Sequence, residues 1–260
     1  MTAQSSLVSS KRLQALVKRG QKPLPPKDRC ASSLFNHSVK QLPKLLSDKL
    51  SIPRLDKEFV KRVFDVIFSL LVLIFFSPVY LLLGLVIALS SPGPIFYIQE
   101  RVGKNYKLFS CIKFRTMVIN ADEMLIQLME SSPQLRQEFE NNCKLKQDPR
   151  ITPIGRFLRL TSLDEFPQFW NVLKGDMSVV GPRPLVAEEL PCYGVHIDKV
   201  LTVKPGITGL WQVSGRNDIP YSRRILIDLY YSKFHNFSLD LWIIVKTIGV
   251  VIIPKNNGAY

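Results

Sequence analysis

The longest hydrophobic stretch of the chain, residues 66–89, reads "VIFSLLVLIFFSPVYLLLGLVIAL" and carries no charge over 24 positions. That meets the roughly 20 apolar residues a bilayer-spanning helix needs. Ser77-Pro78 falls almost at its centre. Proline lacks the N–H that would bond the carbonyl of Ile74, and its ring crowds that turn. The 11-residue arm on either side is about 16 Å long at ~1.5 Å per residue, half of a hydrocarbon core ~30 Å thick. A kinked spanning helix and a helix–break–helix that returns to its own face are both open, and Ser77 and Pro78 are the hinge of either. Lys57, Lys61 and Arg62 before the stretch, and Arg101, Lys104, Lys107, Lys113 and Arg115 after it, make both flanks basic. The positive-inside rule then favours re-entry.

Elsewhere the pattern is amphipathic. In "RLTSLDEFPQFWNVLKGDMSVVGPRP", residues 159–184, Ser162 and Glu165 stand in the spacing of a capping box. Pro167 suits a helix start, and Gly175 suits a helix end. A helix over 163–174 is expected, with "FPQFW" and Leu173 on its buried side. Residues 239–253, "LDLWIIVKTIGVVII", are too short to span, and an interfacial helix with a snorkelling Lys246 is the expectation. Residues 1–58 hold no apolar run long enough for a secretory signal. One short helix capped by Ser10, with Leu13, Leu16 and Val17 on one face, fits there. This region reads as a flexible tail or as a basic segment lying on anionic lipid.

Charge sharpens this picture. The 260 residues hold 35 Lys and Arg against 21 Asp and Glu, a net charge of +14, so anionic partners are expected. Residues 1–62 carry 14 basic and four acidic side chains, which places +10 of that excess at the front. At 46% hydrophobic and 22% charged, the chain is neither disordered overall nor a polytopic membrane protein. Cys30, Cys111, Cys143 and Cys192 lie far apart, which argues against a zinc site or disulfide framework and fits a reducing compartment. His37, His196 and His235 are as scattered and read as incidental.

Against this basic background Asp164 and Glu165 stand out. As part of a cap, Glu165 needs no chemical role. A helix start nevertheless favours a carboxylate or phosphate, and adjacent helical side chains point about 100° apart, so two different tasks suit the pair. Aspartate is a competent nucleophile toward phosphorus, and magnesium bridging a carboxylate and substrate phosphates is its usual partner. Arg159 lies five residues upstream, and Arg183 sits between two prolines in "GPRP". An arginine fork matches phosphate oxygens, though a rigid turn with a solvated Arg explains "PRP" equally well.

Four segments, "KRVFDVIFSLLVLIFFSPVYLLL", "SPGPIFYIQERVGKNYKLFSCIKFRTM", "DPRITPIGRFLRLTSLDEFPQFWNVLKGDMSVVGPRPL" and "VKPGITGLWQVSGRN", follow one another as in the bacterial sugar transferase family, the monotopic phosphoglycosyl transferases. The resemblance covers about residues 59–253. It implies transfer of a sugar 1-phosphate from a UDP-sugar to undecaprenyl phosphate at the cytoplasmic face of the bacterial inner membrane, with release of UMP, as the first step of an exopolysaccharide, capsule or O-antigen unit. It further implies Asp164 as nucleophile and Mg²⁺ ligand, with Mn²⁺ as a substitute, and Glu165 in the second half-reaction. Arg159 is implied at phosphate and Arg183 at the nucleotide, with Lys113, Arg115 and Arg216 as further substrate contacts. Asp65 would position the membrane helix with Lys61 or Arg62. Asp228-Leu229-Tyr230-Tyr231 matches a family motif of no derivable purpose. The end at Gly258-Ala259-Tyr260 resembles large members that use UDP-galactose or UDP-glucose.

The fold expected is mixed α/β and helix-rich: a basic tail over 1–58, a re-entrant helix over 59–92, a small cytoplasmic catalytic domain over 93–253 with amphipathic interface helices, and a terminal tail over 254–260. The expected partners are UDP-sugar, undecaprenyl phosphate and membrane lipids, with no nucleic acid, and with homo-oligomerisation left open. The rivals are a membrane-tethered basic protein that binds nucleic acid or acidic lipid, which leaves the Asp-Glu pair unused, and a glycosyltransferase that releases UDP.

Overall fold

The computed structural model describes residues 54–142, 145, 147–215 and 219–252, so residues 1–53 of the basic tail, Arg216 and residues 253–260 lie outside the described residues, while the last five residues of the expected tail belong to the first helix. Helix α1 spans Arg54–Phe75 and α2 spans Ser77–Ser90. Among the described residues no single helix is long and apolar enough to cross a membrane. By length and composition Glu58–Phe75 and Ser77–Ser90 pass that test together, bent by 61°. The bend has a local cause. Pro78 cannot donate to Ile74, and the Ser77 hydroxyl donates to that carbonyl instead, at 2.8 Å. The ladder resumes at once on either side, from the Phe76 N–H to Val72 and from the Tyr80 N–H to Phe76.

The first half of α1 is polar because it docks on the rest of the protein. Lys61 donates to Asp240 at 2.5 Å and to the Val180 carbonyl at 3.0 Å. Arg62 donates to the carbonyls of Val172 and Leu173 at 2.6 and 2.8 Å. These belong to the last turn of a helix, where a cation is best placed. Asp65 is buried and ties α1 to Ser178 and Val179. Its Oδ1 accepts from the Val179 N–H and the Ser178 hydroxyl at 3.0 and 3.1 Å, and the charge of Lys61, whose own bond goes to Asp240, favours its ionised form. A carboxylate deep in the interior is stabilised by such donors as well as by charge.

Strands β1 (Phe96–Val102) and β2 (Leu108–Phe114) form an antiparallel hairpin with Phe96 opposite Phe114 and Val102 opposite Leu108. Helices α3 (Ala121–Ser131), α4 (Pro133–Asn142) and α5 (Pro153–Thr161) follow. A 3₁₀ turn at Leu163–Glu165 leads to α6 (Gln168–Lys174) and β3 (Ser178–Val180). The short helices α7 (Leu190–Tyr193) and α8 (Ile197–Val200) precede β4 (Gly206–Thr208), which pairs with β3 in parallel. Helices α9 (Leu210–Val213), α10 (Tyr221–Phe234) and α11 (Phe237–Ile252) complete the described chain. The fold is thus helix-rich and mixed α/β. A Cβ added to Gly206 would come within 2.0 Å of the Gly181 nitrogen, so only glycine lets these two segments approach.

The single helix expected over 163–174 is replaced by the 3₁₀ turn and the shorter α6. Ser162 adopts a left-handed conformation (φ 58°) that ends α5, and its side chain makes no cap. Gly175 closes α6 as expected, with φ 90°. The main core packs Phe169, Val172, Met177, Val180, Tyr231 and Ile243 around α6, β3 and α11. A smaller cluster of Leu83, Ile87, Phe114 and Leu158 fixes α2 on the hairpin and α5.

Candidate active site

Residues from α1, the β1–β2 hairpin, α5, the 3₁₀ turn, β4, α9 and α11, among others, meet in a cleft of about 1120 Å³. One end is basic and polar, with Arg101, Lys113, Asp148, Arg159, Asp164 and Arg183. The other is apolar, with Phe68, Val72 and Phe76 of α1 and its break facing Ile244, Ile248 and Val250 of α11. The break itself abuts the carboxylate turn. The Tyr80 hydroxyl donates to the Phe166 carbonyl at 2.7 Å, and the Phe76 and Phe166 rings meet edge to face.

Glu165 is no cap. Its Oε1 accepts from Lys113 Nζ at 2.6 Å, an ion pair about three-quarters buried on each side. Burial opposes its charge, but Lys113, Arg183 and Arg101 outweigh that and hold its carboxyl below the usual range. Asp164 behaves in the opposite way. Burial and the neighbouring Glu165 charge push it up to about 6, with Lys113 and Arg159 acting against them. Among the described residues it makes no ion pair, and Lys113 and Arg159 offset its charge only in part, so a divalent cation would favour its ionised form further. Mg²⁺ commonly takes one or two carboxylates and completes its shell with substrate oxygens and water. One carboxylate beside the arginines therefore fits it, although the described residues hold no cluster of three or more His, Cys, Asp or Glu.

The predicted cations divide. Lys113, Arg159 and Arg183 all line the cleft with Asp164, and Arg159 Nε donates to the Thr116 hydroxyl at 3.0 Å. Arg115 also borders it, but its donors are committed to the backbone: Pro92 at 2.7 Å, Ser91 at 2.8 Å and Ile87 at 3.3 Å. It secures the end of α2 while bordering the cleft. Arg216 falls outside the described residues. Sequence reasoning missed Asp148, which grips Arg150 through two bonds of 2.8 and 2.7 Å at the cleft wall. The Asp-x-Arg spacing in "DPRI" was its one signal. It also missed Arg101, Gln168 and Gln212, whose meeting depends on three separate elements.

The cleft is thus basic at one end and apolar at the other, with the half-buried Asp164 among its lining residues. The sequence profile described as bacterial sugar transferase matches residues 56–254, and the chain belongs to that family. It is 46% identical over 229 residues to an undecaprenyl-phosphate galactose phosphotransferase of Salmonella typhimurium, an alignment covering 88% of this chain and 47% of that protein. It is 43% identical over 227 residues to a UDP-galactose-lipid carrier transferase of Erwinia amylovora, covering 87% and 46%. With the exopolysaccharide production protein ExoY of Sinorhizobium fredii it shares 43% over 197 residues, 76% of this chain and 87% of the relative. The chain thus spans about half the length of the first two.

Proposed function

We propose that this chain transfers a sugar 1-phosphate from a UDP-sugar to undecaprenyl phosphate, releasing UMP, and so starts an exopolysaccharide, capsule or O-antigen unit on the cytoplasmic face of the inner membrane. The observation that carries this reading is the half-buried Asp164, without an ion pair among the described residues, in a cleft it shares with Lys113, Arg159, Arg183 and an apolar wall. The names of the Salmonella and Erwinia relatives supply donor and acceptor classes that such a cleft suits.

In the first half-reaction a carboxylate oxygen of Asp164 bonds to the β-phosphorus as that atom's bond to the bridging oxygen breaks. The electron pair leaves with UMP. Arg159 and Arg183 offset the charge that builds on the phosphoryl oxygens. In the second, an oxygen of undecaprenyl phosphate attacks the same phosphorus, the Asp164–phosphorus bond breaks, and the carboxylate is restored. The attacking group grows more acidic as its bond forms, and Glu165, held ionised beside Lys113, receives its proton. Asp164 would hold Mg²⁺, which when bound would supply neutralisation of phosphate charge.

The membrane reading rests on α1 and α2. Leu71, Ile74, Phe75, Leu81, Leu85 and Leu89 are exposed around a 61° bend, an apolar wedge without a protein partner among the described residues. Re-entry buries that wedge while leaving Asp164 at the surface of the bilayer, beside an acceptor whose tail lies within it. Incubating membranes with undecaprenyl phosphate and a panel of UDP-sugars tests the proposal. UMP release dependent on one of them is expected, whereas UDP release would indicate transfer of the sugar without its phosphate.

A further inference from the structure

Behind the Lys113–Glu165 pair lies a second, small cavity of about 10 Å³, bordered by Arg101, Cys111, Lys113, Glu165, Gln168, Arg183, Pro184, Gly206, Ile207 and Gln212. Its size is roughly that of one water. Its lining carries a specific shortage of partners. Arg101 Nε, Gln168 Nε2 and Gln212 Oε1 are all buried with no hydrogen-bond partner among the described residues. Two of these side chains are otherwise bonded. Arg101 donates to the Pro184 carbonyl at 3.1 Å and to Gln99, and Gln212 Nε2 donates to the Ile207 carbonyl at 3.3 Å. An unsatisfied buried polar atom is costly, and here three of them border one space.

The mix of donors and acceptors decides the occupant. A phosphate or halide only accepts, so Arg101 Nε and Gln168 Nε2, with the nearby Lys113 and Arg183, would suit it electrostatically. A space of about 10 Å³ is nevertheless too small for either ion, and Gln212 Oε1 would stay without a donor. A water accepts two hydrogen bonds and donates two, which matches two donors and two acceptors. We propose that this cavity holds one fixed water, accepting from Arg101 and Gln168 and donating to Gln212 and to Glu165, and that Gln168 and Gln212 are thereby positioning residues for Glu165. The water holds the carboxylate from behind while Lys113 holds its other oxygen. The acceptor step depends on this arrangement more than the attack by Asp164 does. The last point rests on the proposed function; the water site does not.

Three measurements on the full-length membrane protein test it. Electron density at a resolution that orders solvent should show one peak in the cavity, kept when a UDP-sugar is bound. A dry cavity, or a peak replaced by a sugar hydroxyl, would overturn the proposal. Gln168→Met keeps length but removes the donor, and Gln212→Met serves if the first variant misfolds. With the water present either change loses a hydrogen bond and lowers the melting temperature; with a dry cavity it removes an unsatisfied polar atom and raises it. Transfer from the phosphosugar enzyme to the acceptor should also slow at least about tenfold more than UMP release does. Equal slowing of both steps would indicate a structural role only and overturn the assignment. If the unaltered protein releases no UMP with any donor, the proposed function fails, while the density and the sign of the melting shift still decide the water site.

Discussion

At the scale of single residues the site works by contrast. Asp164 and Glu165 are neighbours in sequence, yet burial raises one and three cations hold the other down. Glu165 owes its environment to Lys113, 52 positions away in sequence, which no local pattern announces. With the capping role gone, Glu165→Gln should slow turnover by about 10²–10⁴-fold, the usual span for a lost proton acceptor; steady-state rates across a UMP assay check this, and near-normal turnover would return Glu165 to a structural role. Asp228 offers a test of a different kind. It is buried, accepts from the Tyr193 hydroxyl at 2.9 Å, and is raised to about 7 by burial against the opposing effects of Tyr193, Arg183 and Arg224. A carboxyl raised in the folded state contributes stability below its ordinary value near 4, and that contribution is lost as pH rises through about 7. Asp228→Asn should therefore melt close to the unaltered protein at pH ~4.5 and increasingly above it toward pH ~8. A gap that does not change with pH would contradict the shift.

At the scale of elements, what the sequence revealed was what is local. Proline acts on its own turn, so the break at Ser77-Pro78 could be placed from composition alone, down to the carbonyl of Ile74 that it frees. Gly175 likewise ends α6 where a residue with positive φ is needed. The capping box failed because Ser162 is claimed by the helix before it, ending α5 in a left-handed conformation. The bonds of Asp65 and Arg115 are equally hidden in sequence. Asp65 accepts from the Val179 N–H and the Ser178 hydroxyl, and Arg115 donates to carbonyls at and just beyond the end of α2, groups brought near only by packing. Arg62→Ala should test the same logic, since it strips two donors from the last turn of α6. A loss of about 1–3 kcal/mol is expected, read by denaturant unfolding in detergent; no loss would mean that water serves those carbonyls equally well.

For the whole molecule, the arrangement joins two surfaces that are usually kept apart. The exposed apolar wedge of α1 and α2 meets the residue after the carboxylate turn through Tyr80 and Phe76, so on the proposed re-entry the depth of the wedge would set the height of Asp164. Re-entry makes a topological prediction. In an otherwise cysteine-free protein, Ser5→Cys and Glu140→Cys should both resist an impermeant thiol reagent in intact cells. Labelling of one of them from outside would establish a spanning helix. Pro78→Ala, which restores a donor at the break, should add a labelled minority.

The central claim is that Asp164 itself carries the phosphosugar, and intact-mass spectrometry addresses it most directly. Purified protein given Mg²⁺ and its UDP-sugar, with no lipid acceptor, should gain the mass of one sugar phosphate and release about one equivalent of UMP, as a nucleophilic intermediate requires. Added undecaprenyl phosphate should discharge the adduct, and Asp164→Asn should show neither adduct nor UMP, because an amide forms no acyl phosphate. An Asp164→Asn protein that still gains the sugar phosphate would contradict the account and place the nucleophile elsewhere.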